Sequence, residues 1–255
     1  MIPKIIHYCW FGGNPLPKDA QKCIASWKKY LPDYEIKEWN ESNFDVNCCP
    51  YVKEAYEQKK FAFVSDYARF WVLYNEGGLY FDTDVEVIRN MDHIVEAGNF
   101  MGFEKSFATQ NPGSDAQLGV AAGLGMGAEP GLPILREFLD LYESKPSFTF
   151  GEGTIVYHTT ETLKKYGLVN EHRFQDVAGF KIYPADYFCP MDSTTGLTEL
   201  TSNTVSIHHY SCSWMNQKTL SFRLHLLKNK LIKIFGAKFV FGIVNVINKI
   251  KGCKH

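Results

Sequence analysis

A chain of 255 residues, 45% hydrophobic and 15% aromatic, is long enough to fill a sizeable core, which excludes a protein disordered throughout. Its formal net charge of -1 conceals an asymmetry: of 27 Lys and Arg, nine follow Glu199, after which no Asp or Glu occurs, and the other 18 face all 28 acidic residues in 1–199. Such a basic C-terminal segment points to an anionic partner, either a membrane surface or nucleic acid.

In chain order, Lys4 to Phe11 is a short apolar run closed by Gly12-Gly13-Asn14-Pro15, the pattern of a buried strand running into a loop. From Pro17 to Tyr30, Ala20, Cys23, Ile24 and Trp27 recur at helical spacing until Pro32-Asp33 stops the helix. Tyr34 to Trp39 alternates as a second strand. Ala62 to Asn75 gathers Val64, Tyr67, Ala68, Trp71, Val72 and Leu73 on one broad apolar face, with Gly77-Gly78 as its cap, and Leu79-Tyr80-Phe81 is the next buried strand. Later elements are a strand near Leu118 to Met126, helices over Leu132–Glu143 and Thr159–Tyr166, and a strand over Val205–His209. Alternating strands and helices predict an α/β fold with a mostly parallel sheet covered by helices on both faces. The simplest division is a catalytic domain over residues 1–217 and a basic amphipathic tail over 218–255.

The chemistry concentrates in Ser65-Asp66-Tyr67-Ala68-Arg69 and Gly77-Gly78-Leu79-Tyr80-Phe81-Asp82-Thr83-Asp84. A hydrophobic strand ending in Asp-x-Asp delivers two carboxylates to the carboxyl edge of a sheet, where open α/β proteins bind ligands. Residues two apart in a strand point the same way, so Asp82 and Asp84 can converge on a divalent cation bridging a diphosphate. An isolated Asp-x-Asp is more often the start of a turn; its place after this strand and helix favours the site. Asp66 and Arg69, at i and i+3, suit a local ion pair worth only roughly 0.2–0.5 kcal/mol on an exposed helix face. They equally suit a site, where Arg offers a planar fork of donors and Asp an acceptor.

Together with Ile5-Ile6-His7-Tyr8-Cys9-Trp10-Phe11-Gly12-Gly13, these motifs resemble the glycosyltransferases with a DXD sugar-binding motif. Those include the Och1-like and capsular polysaccharide enzymes of glycosyltransferase family 32, with a more distant likeness to the large clostridial glucosylating toxins. The resemblance spans residues 2 to about 90 and returns at His208-His209-Tyr210-Ser211-Cys212-Ser213-Trp214. It implies a GT-A type, Rossmann-like nucleotide-sugar domain followed by a helical tail. It further implies a Mn²⁺ or Mg²⁺ cofactor, a nucleoside diphosphate sugar as donor, and a hexosyltransferase that retains anomeric configuration. Trp10 would stack on the base, with His7 and Cys9 in the same donor-binding group. Ser65, Asp66 and Arg69 would touch ribose and sugar, Tyr80 would lie near the diphosphate, and Thr83 belongs to the same donor-binding group. Asp82 and Asp84 would meet the metal, with Asp66, Arg69 and Asp84 carrying catalysis. One His completes the metal shell, His209 being favoured over His208, and Ser213 and Trp214 would hold the phosphates. Many relatives carry Gly-Pro where this chain has Phe150-Gly151-Glu152-Gly153-Thr154, so their acceptor contacts do not carry over.

UDP-galactose or UDP-glucose is the favoured donor and GDP-mannose the alternative. A glycan or lipid-linked glycan acceptor fits capsular polysaccharide, O-antigen or lipooligosaccharide synthesis in bacteria. In the tail, Leu220, Leu224, Leu227, Leu231 and Ile234 form a helical stripe with Arg223, Lys228, Lys230 and Lys233 elsewhere around the helix, the pattern of an interfacial helix on an anionic membrane. The bland alternative is a helix packed on the core. Seven irregularly spaced cysteines without a C-x-x-C pair fit a reducing compartment, and no segment has the composition of a signal peptide or a spanning helix. The expectation is a cytoplasmic protein, peripheral on the inner face of the plasma membrane. Two rivals are a nucleic-acid-binding module, which would leave the Asp-x-Asp block idle, and a silent sugar-binding protein, which donor turnover would exclude.

Overall fold

The computed structural model describes residues 1–104, 118–151, 153–211, 219–236 and 239–242. Strand β1 (Ile5–Cys9) is the buried opening run, and helix α1 (Lys18–Tyr30) follows, burying Ala20, Cys23, Ile24 and Trp27. Lys28 and Lys29 sit in its last turn, where the helix dipole favours cations. Strand β2 (Glu35–Trp39) is followed by α2 (Pro50–Glu57), and then by α3 (Phe61–Glu76) with Gly77 as its cap. Next come β3 (Gly78–Tyr80), β4 (Val85–Val87), α4 (Asp92–Glu96), β5 (Phe100–Gly102) and β6 (Met126–Ala128). The chain continues with α5 (Pro133–Glu143), α6 (Ile155–Lys164), β7 (Gln175–Val177), β8 (Phe180–Tyr183) and α7 (Ala185–Phe188). It ends in β9 (Ser206–His208) and α8 (Leu220–Phe235).

Seven strands form one sheet in the order β2-β1-β3-β6-β5-β8-β7, and β4 pairs with β9 in a separate two-stranded sheet. Strands β1, β2, β3, β5 and β8 run one way, and only β6 and β7 run against them. The sheet is therefore mixed but mostly parallel, in keeping with the α/β class expected from the sequence. The strand expected near Leu118–Met126 is instead a bridge at Val120 and a strand that begins only at Met126. Its glycines leave backbone exposed for close approach rather than for regular pairing.

Helix α3 lies against β1, β3 and β6 and packs its far side on α5, with Phe70 stacked on Phe138 at 4.6 Å. Both rings are buried, and the contact fixes the helix that carries Asp66 and Arg69. Trp27, fully buried, donates its indole N–H to Val85 O at 2.7 Å, and Ser26 Oγ accepts from Val87 N at 2.9 Å. Through these two bonds α1 holds β4, and β4 holds β9. Two segments invisible to simple periodicity, α2 and the pair β7–β8, complete the sheet flank and the covering layer.

Candidate active site

The first surprise concerns Asp82 and Asp84. Strand β3 ends at Tyr80, and the two carboxylates occupy a turn closed by Val85 N→Asp82 O at 3.0 Å. Their convergence is thus set by a turn and not by strand alternation, because the chain must swing from the main sheet into the β4–β9 pair within a few residues.

Asp82 accepts from Tyr80 Oη at 3.2 Å and pairs with Arg69 at 3.2 Å. Arg69 pairs in turn with Asp66 at 3.0 Å, donates from Nε to Ser65 O at 3.1 Å, and lies over the Tyr80 ring at 5.0 Å. The Asp66–Arg69 pair is therefore both the local ion pair and a site element, buried rather than exposed. Burial pushes the Asp66 carboxyl up to about 7, although the Arg69 guanidinium opposes this, and burial raises Asp82 against the same guanidinium. A Cβ at Gly123 would collide with the Asp82 carboxylate, and Gly123 O accepts from Asp82 N at 3.2 Å. This gives the Gly-rich stretch Ala121–Gly127 a concrete task, close approach to the first Asp.

Asp84 meets His208 Nε2 at 3.1 Å and accepts from Ser211 N at 2.8 Å. Burial alone would raise its carboxyl, but His208 and the Ser211 N–H hold it well below the usual carboxylate range. Conversely, burial lowers the His208 imidazole and the Asp84 carboxylate overrides it, leaving it raised. One ligand atom each from Asp82, Asp84 and His208 lies within 4.8 Å of the others. Two carboxylate oxygens and an imidazole suit a divalent cation, and His208 Nδ1 is buried with no hydrogen-bond partner.

The favoured His209 does not join this group. The β4–β9 register sets His208 opposite Val85, next to Asp84, while His209 donates its backbone N–H to Asp84 O and turns its ring to Glu86 Oε2 at 2.8 Å. Alternation along the strand sends the two rings to different sides. His7 is also not at the site: it is fully buried, with Nδ1 accepting from Trp39 Nε1 at 3.0 Å and Nε2 donating to Gly77 O at 2.8 Å. It tethers β1 to β2 and to the end of α3, and burial keeps the ring neutral by lowering its pKa.

The remaining predicted donor residues surround a cavity of about 600 Å³ lined by Cys9, Trp10, Ser65, Arg69, Tyr80, Asp82, Thr83, Asp84 and His208. Asp66 stands behind Arg69, and burial pushes the Cys9 thiol up to about 12, so it serves as a neutral wall. Trp10 is held by its indole N–H to Asn14 O at 2.6 Å, in the loop turned by Gly12 and Gly13 at φ 93° and 67°. Tyr210, Ser211, Phe63 and Phe150 line the same cavity and were given no role from sequence, although each lies in a segment that was noted; Lys59, Lys60 and Phe61 were not noted at all. A second cavity of about 550 Å³, with Glu86 and His209, lies across the ridge formed by Trp10, Thr83, Asp84 and Ser211. Ser213, Trp214 and Glu152 lie outside the described residues.

The fold and the paired carboxylates define an α/β protein with a cavity at one edge of its main sheet, walled by two Asp and a His that could hold a cation. More particularly, residues 17–101 match the family described as the glycosyltransferase sugar-binding region containing DXD motif, as the motif resemblance implied. Inositol phosphoceramide mannosyltransferase 3 of Schizosaccharomyces pombe is 29% identical over 124 residues, covering 41% of this chain and 34% of that protein. An uncharacterized glycosyltransferase of Acanthamoeba polyphaga mimivirus is 30% identical over 106 residues, covering 39% of this chain and 42% of that protein. The chain thus spans between about a third and two fifths of the length of these two relatives. Among solved structures, the PaToxG glycosyltransferase is 19% identical with a TM-score of 0.49, covering 64% of this chain and 69% of that one.

Proposed function

We propose that this chain is a metal-dependent glycosyltransferase that moves a hexosyl group from a nucleoside diphosphate sugar to a hydroxyl of a glycan acceptor. The observation that carries this is the meeting of Asp82, Asp84 and His208 on the wall of a cavity also lined by Trp10 and by Arg69, which Asp66 backs. A divalent cation held by Asp82, Asp84 and His208 would supply Lewis-acid neutralisation of charge on the leaving diphosphate, with no protonated side chain required. Arg69, already flanked by two carboxylates, would orient the donor through its remaining N–H groups, and Trp10 would stack on the base. Retention of configuration rests on the family resemblance, and no side chain is assigned as nucleophile.

UDP-galactose or UDP-glucose is the favoured donor, supported by Trp10 and the toxin-like motifs. GDP-mannose is the second reading, supported by the mannosyltransferase among the relatives. Membrane attachment through the tail is supported by α8, in which Leu224, Leu227, Leu231 and Ile234 are all exposed while Ile232 is buried. The packed face and the leucine stripe are different faces of the helix, so packing on the body and lying on an anionic inner-membrane surface are compatible. No helix among the described residues is long and apolar enough to cross a membrane.

The test is Mn²⁺-dependent binding and hydrolysis across UDP- and GDP-sugars, comparing wild type with Asp84→Asn. Cleavage of one donor, lost with chelator and in the variant, is the expected result. Failure to bind any donor, with or without metal, would sink the proposal.

A further inference from the structure

Apart from the metal group, the cavity has a second chemical character at the junction of α2 and α3. Phe150 is 60% exposed and lines the cavity together with Phe63, whose ring lies 5.8 Å from that of Phe150. Lys60 holds its ammonium 4.8 Å from the Phe150 ring centre, and Lys59 beside it also lines the cavity. Among the described residues, no carboxylate lies within ion-pair distance of either lysine, whereas Lys22, Lys37, Lys164 and Lys181 all have such partners. Two cations beside an exposed aromatic face thus line the cavity without an ion-pair partner among the described residues.

Lys59 also occupies a position for which lysine is a poor local choice. Helix α2 ends with Lys59 N→Tyr56 O and Lys60 N→Ala55 O, both at 2.8 Å, the paired closing bonds that normally place glycine at the penultimate position. Lys59 takes that position at φ 57°, a left-handed conformation that is strained for a residue with a side chain and free for glycine. Helix closure alone does not call for lysine there.

Resting on the transferase reading above, we infer that Lys59, Lys60 and the Phe63–Phe150 face form the acceptor subsite, and that the acceptor is an anionic glycan bearing a carboxylate or a phosphate. On that reading a divalent cation held by Asp82, Asp84 and His208 would meet the donor's diphosphate and Trp10 its base, so the lysines answer to a second anion. An aromatic face beside them fits the apolar C–H face of a sugar ring, and the ammonium groups fit the charge that ring carries.

The experiment uses the whole chain with Mn²⁺ and UDP on an array of matched neutral, hexuronate-bearing and phosphorylated oligosaccharides at low salt. Charged members should be retained at least about ten-fold more strongly than their neutral counterparts, the scale of one or two hydrogen bonds to a charged group. The uronate and phosphate arms decide which anion is preferred. K59G/K60A should collapse the difference and K59R/K60R should keep it; glycine relaxes the backbone at position 59, and a melting curve checks that the variant is folded. Equal retention of neutral and charged glycans would overturn the inference, as would an unchanged preference in K59G/K60A. A matching loss of affinity for UDP in that variant would also overturn it, because the lysines would then serve the donor. Charge-dependent glycan binding through the lysines without turnover of any donor would instead count against the transferase reading alone.

Discussion

His208 and His209 are adjacent, both polar and indistinguishable by type, yet their surroundings predict opposite outcomes on substitution. His208→Ala removes an atom from the cation group and should weaken Mn²⁺ binding by at least about 100-fold, the upper end of what loss of an outer partner costs. His209→Ala removes only a partner of Glu86 and should do much less; isothermal titration with Mn²⁺ decides between them. Gly123→Ala is the smallest change that should disable the site, since the added methyl must displace the Asp82 carboxylate. A displacement near 1 Å can cost about 100-fold in turnover, measurable as donor hydrolysis by a variant whose melting temperature is close to wild type. Asp66 carries a pH signature. Its folded-state carboxyl stands at about 7 against 3.8 for the free group, so the folded protein holds more protons between those values. Stability contributed by Asp66 therefore falls as pH rises from about 4 through 7, and Asp66→Asn should flatten that slope in urea titrations taken across the window.

At the level of elements, the site depends on how α1 grips a strand outside the main sheet. Trp27 is fully buried and its indole N–H reaches Val85 O, the residue that follows Asp84. Trp27→Phe keeps most of the apolar volume but leaves a buried carbonyl with one bond fewer, so a loss of about 1–3 kcal/mol is expected in denaturant unfolding. Because β4 carries β9 by antiparallel pairing, the same variant should also weaken Mn²⁺ binding, through the position of His208. A purely global loss of stability, with metal affinity unchanged in the folded protein, would show that β4 does not need this anchor. Helix α3 is held differently, by the Phe70–Phe138 stack and the packing of α5, which places the Asp66–Arg69 pair on a rigid support.

For the whole molecule, the separation of charge is the dominant feature, with an acidic body and a tail of nine basic residues and no acidic ones. Each basic residue near an anionic bilayer is worth about 1 kcal/mol, and the attraction fades as salt shortens the Debye length. The chain should sediment with phosphatidylserine-containing vesicles and not with neutral ones, and should be released at high salt. Leu227→Glu with Leu231→Glu, on the exposed stripe, should abolish this sedimentation. Sedimentation that persists in the double variant would mean that the stripe is not the contact.

The sequence by itself determined the elements whose residues bury a continuous face. Strands β1 and β2 and helices α1, α3 and α5 all lie where hydrophobic period and Gly or Pro stops put them. It also picked out residues that the fold brings together at or just behind one cavity wall, because Trp10, Ser65, Asp66, Arg69, Tyr80, Asp82 and Asp84 fall in ordered motifs. Short strands of three residues such as β4, β5 and β7 were illegible, since so few side chains cannot display a period. Only the tertiary structure decided that Asp82 and Asp84 meet in a turn, that His208 rather than His209 joins them, and that His7 belongs to the core. Each of these depends on strand register and on contacts between segments up to 127 positions apart, as in the bond from Ser211 to Asp84. Local spacing constrains which residues share a face, but the face they meet is chosen by the packing of the rest of the chain.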